Sequence, residues 1–181
     1  MEICYNYFMF NKNRKFLILS IIFTVLSIAL NAFIIYQACL KGGDSSVWSD
    51  KVAESAAEVI NTVVPNTITE QNMPDFSNFI RKAIGHFGLF GLDAIITCLA
   101  VYFSIGYTDW YKHYWGIAIS SGIGITIAIL TEVIQTFVPG RSGEVTDSLI
   151  DSAGYLIGVL ALFLIIILIL RHRKKTSKVE A

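Results

Sequence analysis

Four stretches of this 181-residue chain run for about twenty residues or more almost without charge. A helix needs ~20 apolar residues to cross a bilayer core of ~30 Å, so each stretch is long enough. The first runs from Phe16 to Leu40 and is interrupted by Asn31 and Gln37. The second, Gly85 to Ile105, carries His86 at its start and Asp93 inside. The third, Trp115 to Val138, carries Glu132 and Gln135 near its end, and the fourth, Leu149 to Leu170, carries Asp151 near its start. Inside lipid a segment must satisfy its own backbone polar groups, which a helix does alone. Barrel strands would alternate polar and apolar residues, and these runs do not.

The sequence therefore predicts an all-α fold, an integral membrane four-helix bundle with spans at about 16–40, 85–105, 115–138 and 149–170. Composition agrees, with 54% hydrophobic and 15% charged residues against ~25% charge in a soluble domain. That excludes a disordered chain and a nucleic-acid binder built on a basic patch. Three cysteines exclude a disulfide scaffold and a four-cysteine zinc site. The first run exceeds the ~7–15 apolar residues of a secretory signal, so it is expected to stay as a helix. Tyr36-Gln37-Ala38 before Cys39 is a poor lipoprotein cleavage site.

Lysine and arginine near span ends favour the cytoplasm. With the N-terminus inside, the inner segments hold Lys12, Arg14, Lys15, Lys112, Arg171, Arg173, Lys174, Lys175 and Lys178, against Lys41, Lys51, Arg81, Lys82 and Arg141 outside. The expectation is a multi-pass membrane protein with residues 1–15 and the basic tail 171–181 cytoplasmic. Trp110, Tyr111, His113, Tyr114 and Trp115 read as an aromatic belt at the inner boundary.

Residues 41–84 form the long outer connection. Gly42-Gly43-Asp44-Ser45-Ser46 reads as a flexible polar stretch. Val52, Ala56, Val59, Ile60 and Val63 then recur at helical spacing and stop before Pro65. Residues 66–74 read as loop. Phe76, Phe79, Ile80, Ala83, Ile84 and Phe87 resume the helical period and lead into the second span. The picture is two helical pieces at the outer interface.

The polar residues of the spans converge by depth. His86, Glu132, Gln135, Arg141, Asp147 and Asp151 all fall at the outer level, whereas the inner halves are almost free of ionisable groups. An aspartate at mid-span costs ~2.5–3.5 kcal/mol on an insertion scale and should face a partner inside the bundle. Arg141, with its forked donors, is the expected partner. Asp93, seven residues below His86, is expected either in the pocket or beside His86. Gly116, Ser120, Gly124 and Ala128 recur every four residues toward Glu132, and Gly154 and Gly158 follow Asp151. Small residues let helices approach closely in lipid, so the third and fourth spans are expected to pack tightly along this stripe.

At these residues the chain resembles the VanZ family, named for a membrane protein associated with teicoplanin resistance. The basic pair Arg81-Lys82 followed by His86-Phe87 matches the start of one family helix. Glu132-x-x-Gln135, the turn Phe137-Val138-Pro139-Gly140-Arg141, then Glu144, Asp147, Asp151 and Gly154 match its most specific run. Glu144 stands where the family more often has aspartate, and Asp151 where it has asparagine, which adds a charge. The resemblance covers residues 76–165 and implies a role in the bacterial cell envelope.

Three chemistries follow from the cluster. In the first, an outer-leaflet pocket binds an envelope lipid, a lipid-linked cell-wall precursor or a lipophilic glycopeptide. Arg141 grips an anionic group, Glu132 and Asp147 take hydroxyls or amines, and His86, Gln135 and Asp151 complete the ligand-binding set. In the second, the protein is an intramembrane enzyme on a lipid-linked substrate, with His86, Glu132 and Asp147 as catalytic candidates. A divalent cation on Glu132, Asp147 and Asp151 would belong to that reading, but no metal-binding spacing is present, and no metal or cofactor is assigned. The third, a channel or carrier, fits poorly, because the polar residues occupy one half of the membrane and no inverted repeat is visible.

Overall fold

In this computed structural model the backbone is described at residues 2–105 and 110–179, and side chains at most of 14–104 and 115–166. The side chains of Cys4, Lys12, Trp110, Tyr111, Lys112, His113, Tyr114 and the tail from Arg171 lie outside the described ones, and so do the expectations placed on them. Among the described residues every regular element is helical. They are α1 (Glu2–Cys39), α2 (Gly42–Val63), α3 (Met73–Ile80), a π-helical segment (Arg81–Gly88), α4 (Leu89–Ile105), α5 (Trp110–Gln135) and α6 (Val145–Val179). Four helical stretches are long and apolar enough to cross a membrane: Arg14–Cys39, Met73–Ser104, Trp115–Gln135 and Val145–Ile166. Large side chains such as Ile18, Val25, Ile28, Leu160 and Leu164 are exposed along them, as helices facing hydrocarbon require.

A polar ladder joins α1 to α4. Ser20 Oγ lies 2.7 Å from Ser104 Oγ, Ser27 Oγ lies 2.7 Å from Thr97 Oγ1, and Asn31 Nδ2 donates to Asp93 Oδ1 at 2.9 Å. The number rises on α1 by the amount it falls on α4, the signature of an antiparallel pair in fixed register. Phe23 stacks on Phe103 between the rungs, with ring centroids 5.6 Å apart. Asp93 is fully buried and also accepts from Thr97 Oγ1 at 3.2 Å. Its partners are thus on α1 and its own helix, and the alternative of pairing with His86 is set aside.

The glycine stripes are packing devices, though not all in the expected seam. A Cβ on Gly124 would run into the Tyr155 ring, so α5 and α6 meet closely there. Tyr155 is fully buried and its hydroxyl lies 3.1 Å from Ser120 Oγ. Gly154 and Gly158, however, abut Phe87 and Gly91. They seat α6 against the second span rather than the third. The reason is steric: α6 presents Tyr155 to α5, and the glycines fall on the adjoining face.

The stretch beginning at Gly42, expected to be flexible, is instead the first turn of α2. It is anchored by the turn between α5 and α6: the Gly42 N–H donates to Pro139 O at 3.4 Å, and a Cβ on Gly42 would overlap Gly140 O. Gly140 has φ +77°, a left-handed conformation that glycine adopts without penalty. The buried face of α2 carries Ala53 and Ala57, while Val52, Val59 and Val63 of the expected face are exposed. Alanine's small side chain lets α2 pack closely on that face, and Val52 borders the cavity described below.

Candidate functional site

The segment from Arg81 to Gly88 is wound as a π-helix, a rare form that recurs at functional sites. It places Lys82 and His86 against the start of α6. Lys82 Nζ donates to Asp147 Oδ1 at 2.6 Å and lies 3.4 Å from Glu144 Oε2. His86 Nδ1 lies 3.0 Å from Asp151 Oδ1, and its Nε2 lies 3.6 Å from Asp147 Oδ2. Asp147 and Asp151, four apart on α6, are both buried. The site is therefore sewn between the second and fourth spans.

Glu132 arrives from α5, also buried. Its Oε1 accepts from Gln135 Nε2 at 3.1 Å, and its Oε2 accepts the Glu144 backbone N–H at 2.9 Å. This second bond ties the end of α5 to the loop that starts α6. Gly143 is needed there, because a Cβ would strike the Glu132 carbonyl oxygen. A ring nitrogen of His86 and one carboxylate oxygen each from Glu132 and Asp147 lie within 4.8 Å of one another. This is a donor set of one imidazole and two carboxylates, able in principle to hold a metal ion.

Arg141 leaves the loop in another direction. Its Nη1 donates to the Gln37 carbonyl oxygen at the end of α1, 2.9 Å away. Burial, reinforced by the neighbouring Arg81 guanidinium, holds its pKa below the usual arginine value. Asp147 accepts a hydrogen bond from Lys82, a cation the sequence reading did not place there. The long, unbranched ammonium side chain reaches across from the π-helical segment, and Arg141 is turned toward α1.

Below the two arginines lies a cavity of about 510 Å³, within the ~300–1,000 Å³ range of small-molecule pockets. Phe33, Ile34, Ile80, Leu89 and Phe90 make its apolar wall. Gln37, Ser49, Arg81, His86, Thr131, Gln135, Arg141 and Asp151 are the polar residues of its lining. A second cavity of about 160 Å³ adjoins, bordered by Ser46, Glu144 and Asp147 and sharing Arg81, Gln135 and Arg141 with the first.

The six residues expected to form the binding set thus lie in one region, distributed over the π-helical segment, α5, α6 and the loop between the last two. Sequence reasoning missed Lys82 and Arg81 as site members, although the basic pair stood in the motif preceding His86. It also missed the part played by α1, whose wall residues Phe33 and Ile34 carry no polar signal.

No curated protein and no solved structure matches the chain. A model of the VanZ/LLP1 family matches residues 16–169, which include all four spans and every site residue named above. On that match the chain belongs to the VanZ/LLP1 family.

Proposed function

We propose that this family member is a multi-pass protein of a bacterial plasma membrane that receives an amphiphile with an anionic headgroup in its outer leaflet. The observation that carries the reading is the 510 Å³ cavity with an apolar wall of Phe33, Ile34, Leu89 and Phe90 and a polar lining that includes Arg81 and Arg141. Two guanidiniums lining one cavity repel each other, and an anion between them would relieve that cost. Arginine binds phosphate and carboxylate through two parallel hydrogen bonds, and the apolar wall suits an acyl or polyprenyl chain. Glu132, Asp147 and Asp151 would meet hydroxyl or amine groups of the head. Envelope phospholipids, lipid-linked cell-wall precursors and lipophilic glycopeptides share this chemistry, and the last would connect the pocket to antibiotic resistance. The lysine and arginine distribution supports cytoplasmic termini and hence an outward-facing site.

Native mass spectrometry of detergent-released protein tests the reading. Wild type should retain an anionic lipid that Arg81→Ala and Arg141→Ala each lose, with zwitterionic lipid bound poorly by all three. Equal retention of anionic lipid by the three proteins would defeat it. A second reading, an intramembrane enzyme, draws on His86 standing between Asp147 and Asp151, the setting of a general acid or base. It requires turnover of a lipid-linked substrate that His86→Ala abolishes.

A further inference from the structure

The geometry points to a divalent-cation site formed by His86 Nε2, Glu132 and Asp147, beside the arginine-lined cavity. One edge, His86 Nε2 to Asp147 Oδ2, measures 3.6 Å. A four-coordinate ion with bonds of ~2.0–2.1 Å needs donor atoms ~3.4 Å apart, so this edge is already close to a coordination edge. The donor atoms of all three residues lie within 4.8 Å of one another, and Glu132 has only a short distance to travel.

The three donor residues are already oriented by hydrogen bonds, Glu132 at both of its carboxylate oxygens. Asp151 Oδ1 takes the Nδ1 side of His86 at 3.0 Å. That bond favours the tautomer with its proton on Nδ1 and leaves the Nε2 lone pair facing Asp147. Lys82 Nζ holds Asp147 Oδ1 at 2.6 Å, so Oδ2 is the atom turned to the imidazole. Gln135 and the Glu144 N–H hold Glu132. Such a supporting shell of carboxylate and amide partners is what orients metal ligands. In the neutral tautomer with its proton on Nδ1, Nε2 turns its lone pair toward Asp147 Oδ2 across 3.6 Å, and a cation between the two atoms would be bound by both. Two carboxylates and a neutral imidazole also match a dipositive ion in charge.

One nitrogen and two oxygens suit zinc, manganese or ferrous iron better than magnesium or calcium. Three protein ligands leave positions for water or an anionic oxygen, as in sites that do chemistry. His86 borders the larger cavity and Asp147 the smaller, so such positions have space to open into. The proposal stands apart from the amphiphile reading, because metal uptake and lipid retention are measured separately.

The test is metal content of the purified full chain in detergent. The protein is stripped with chelator, dialysed against zinc or manganese, and read by elemental mass spectrometry. Wild type should take up one ion per chain. His86→Ala, Glu132→Gln and Asp147→Asn should each weaken uptake at least tenfold. Asp151→Leu should weaken it ten- to a hundredfold, the usual cost of losing a supporting partner. Asp151→Asn, whose amide oxygen can still accept from Nδ1–H, should stay within a few-fold of wild type, and Arg141→Ala should bind normally. Cobalt(II) titration of wild type reads the site without any substitution: visible absorption bands should grow to one equivalent and vanish on adding zinc. Absence of both uptake and cobalt bands in wild type overturns the proposal. Uptake indifferent to His86, Glu132 and Asp147 overturns it equally.

Discussion

Replacing Gly154 with alanine would put a methyl group against the backbone of the π-helical segment. The new Cβ would overlap the Phe87 carbonyl oxygen and lie 2.9 Å from that residue's carbonyl carbon and Cα. Ordinary contacts begin near ~3.3–3.5 Å and the oxygen would stand about 1 Å inside that limit, so α6 and the segment must part by about that 1 Å, since both faces are backbone. That displacement would take the His86–Asp151 hydrogen bond from 3.0 Å to about 4 Å, beyond hydrogen-bonding range. Overpacking costs ~1–3 kcal/mol, and a rigid backbone contact belongs at the upper end. Alanine returns up to ~1 kcal/mol in helix propensity, leaving a net destabilisation of about 2 kcal/mol. Gly122→Ala supplies the control, because a Cβ there meets nothing within 4 Å. It should be neutral or stabilising by up to ~1 kcal/mol, so the two glycine-to-alanine changes should differ in sign. Thermal unfolding in detergent measures both, with a melting-point loss of roughly 4–8 °C expected for Gly154→Ala. Equal melting points for the two variants would refute the close approach of α6 to the π-helical segment.

Lys82→Met removes the ammonium from buried Asp147. About 3 kcal/mol of stability should be lost, the lower end for breaking a buried pair because Lys82 is partly exposed; Lys82→Arg should recover most of it, and a melting point unchanged in Lys82→Met would contradict the pairing. Asp93→Ala removes the acceptor shared by Asn31 Nδ2 and Thr97 Oγ1; Asn31 Nδ2 keeps its bond to Ser27 O, so the cost should be ~1 kcal/mol, whereas Asp93→Asn, which keeps an acceptor in place, should cost less; the reverse order in denaturation curves would be wrong for this site. Arg81→Gln relieves Arg141 of a neighbouring like charge. It should raise the stability of lipid-free protein by ~0.5 kcal/mol or less in low salt, and anionic lipid should then stabilise wild type more than the variant; equal lipid-induced shifts would count against the two arginines acting together.

The membrane spans were legible because bilayer thickness imposes a length of apolar sequence that few other constraints produce. The level at which His86, Glu132, Gln135, Arg141, Asp147 and Asp151 gather was legible for a related reason: an ionisable residue tolerated in a span has a narrow choice of depth and must face its partners. Partner choice was not legible. That Asp147 meets Lys82 depends on how the π-helical segment is wound, and that winding leaves no period in the sequence. Asn31 and Gln37 interrupted the first span visibly, yet only the antiparallel register of α1 with α4 assigns Asn31 to Asp93. Gly154 and Gly158 announced a close approach without saying to which neighbour, since a glycine stripe carries no information about its partner.

A photoactivatable anionic phospholipid, with its reactive group midway along one acyl chain, tests the central claim most directly. After irradiation in detergent micelles and peptide mapping, label should concentrate on the cavity wall at Phe33, Ile34, Leu89 and Phe90 and disappear from those residues in the Arg81→Ala, Arg141→Ala double variant. Label confined to outward-facing residues such as Ile18, Val25 and Leu160, and indifferent to the arginines, would contradict an amphiphile pocket at this end of the bundle.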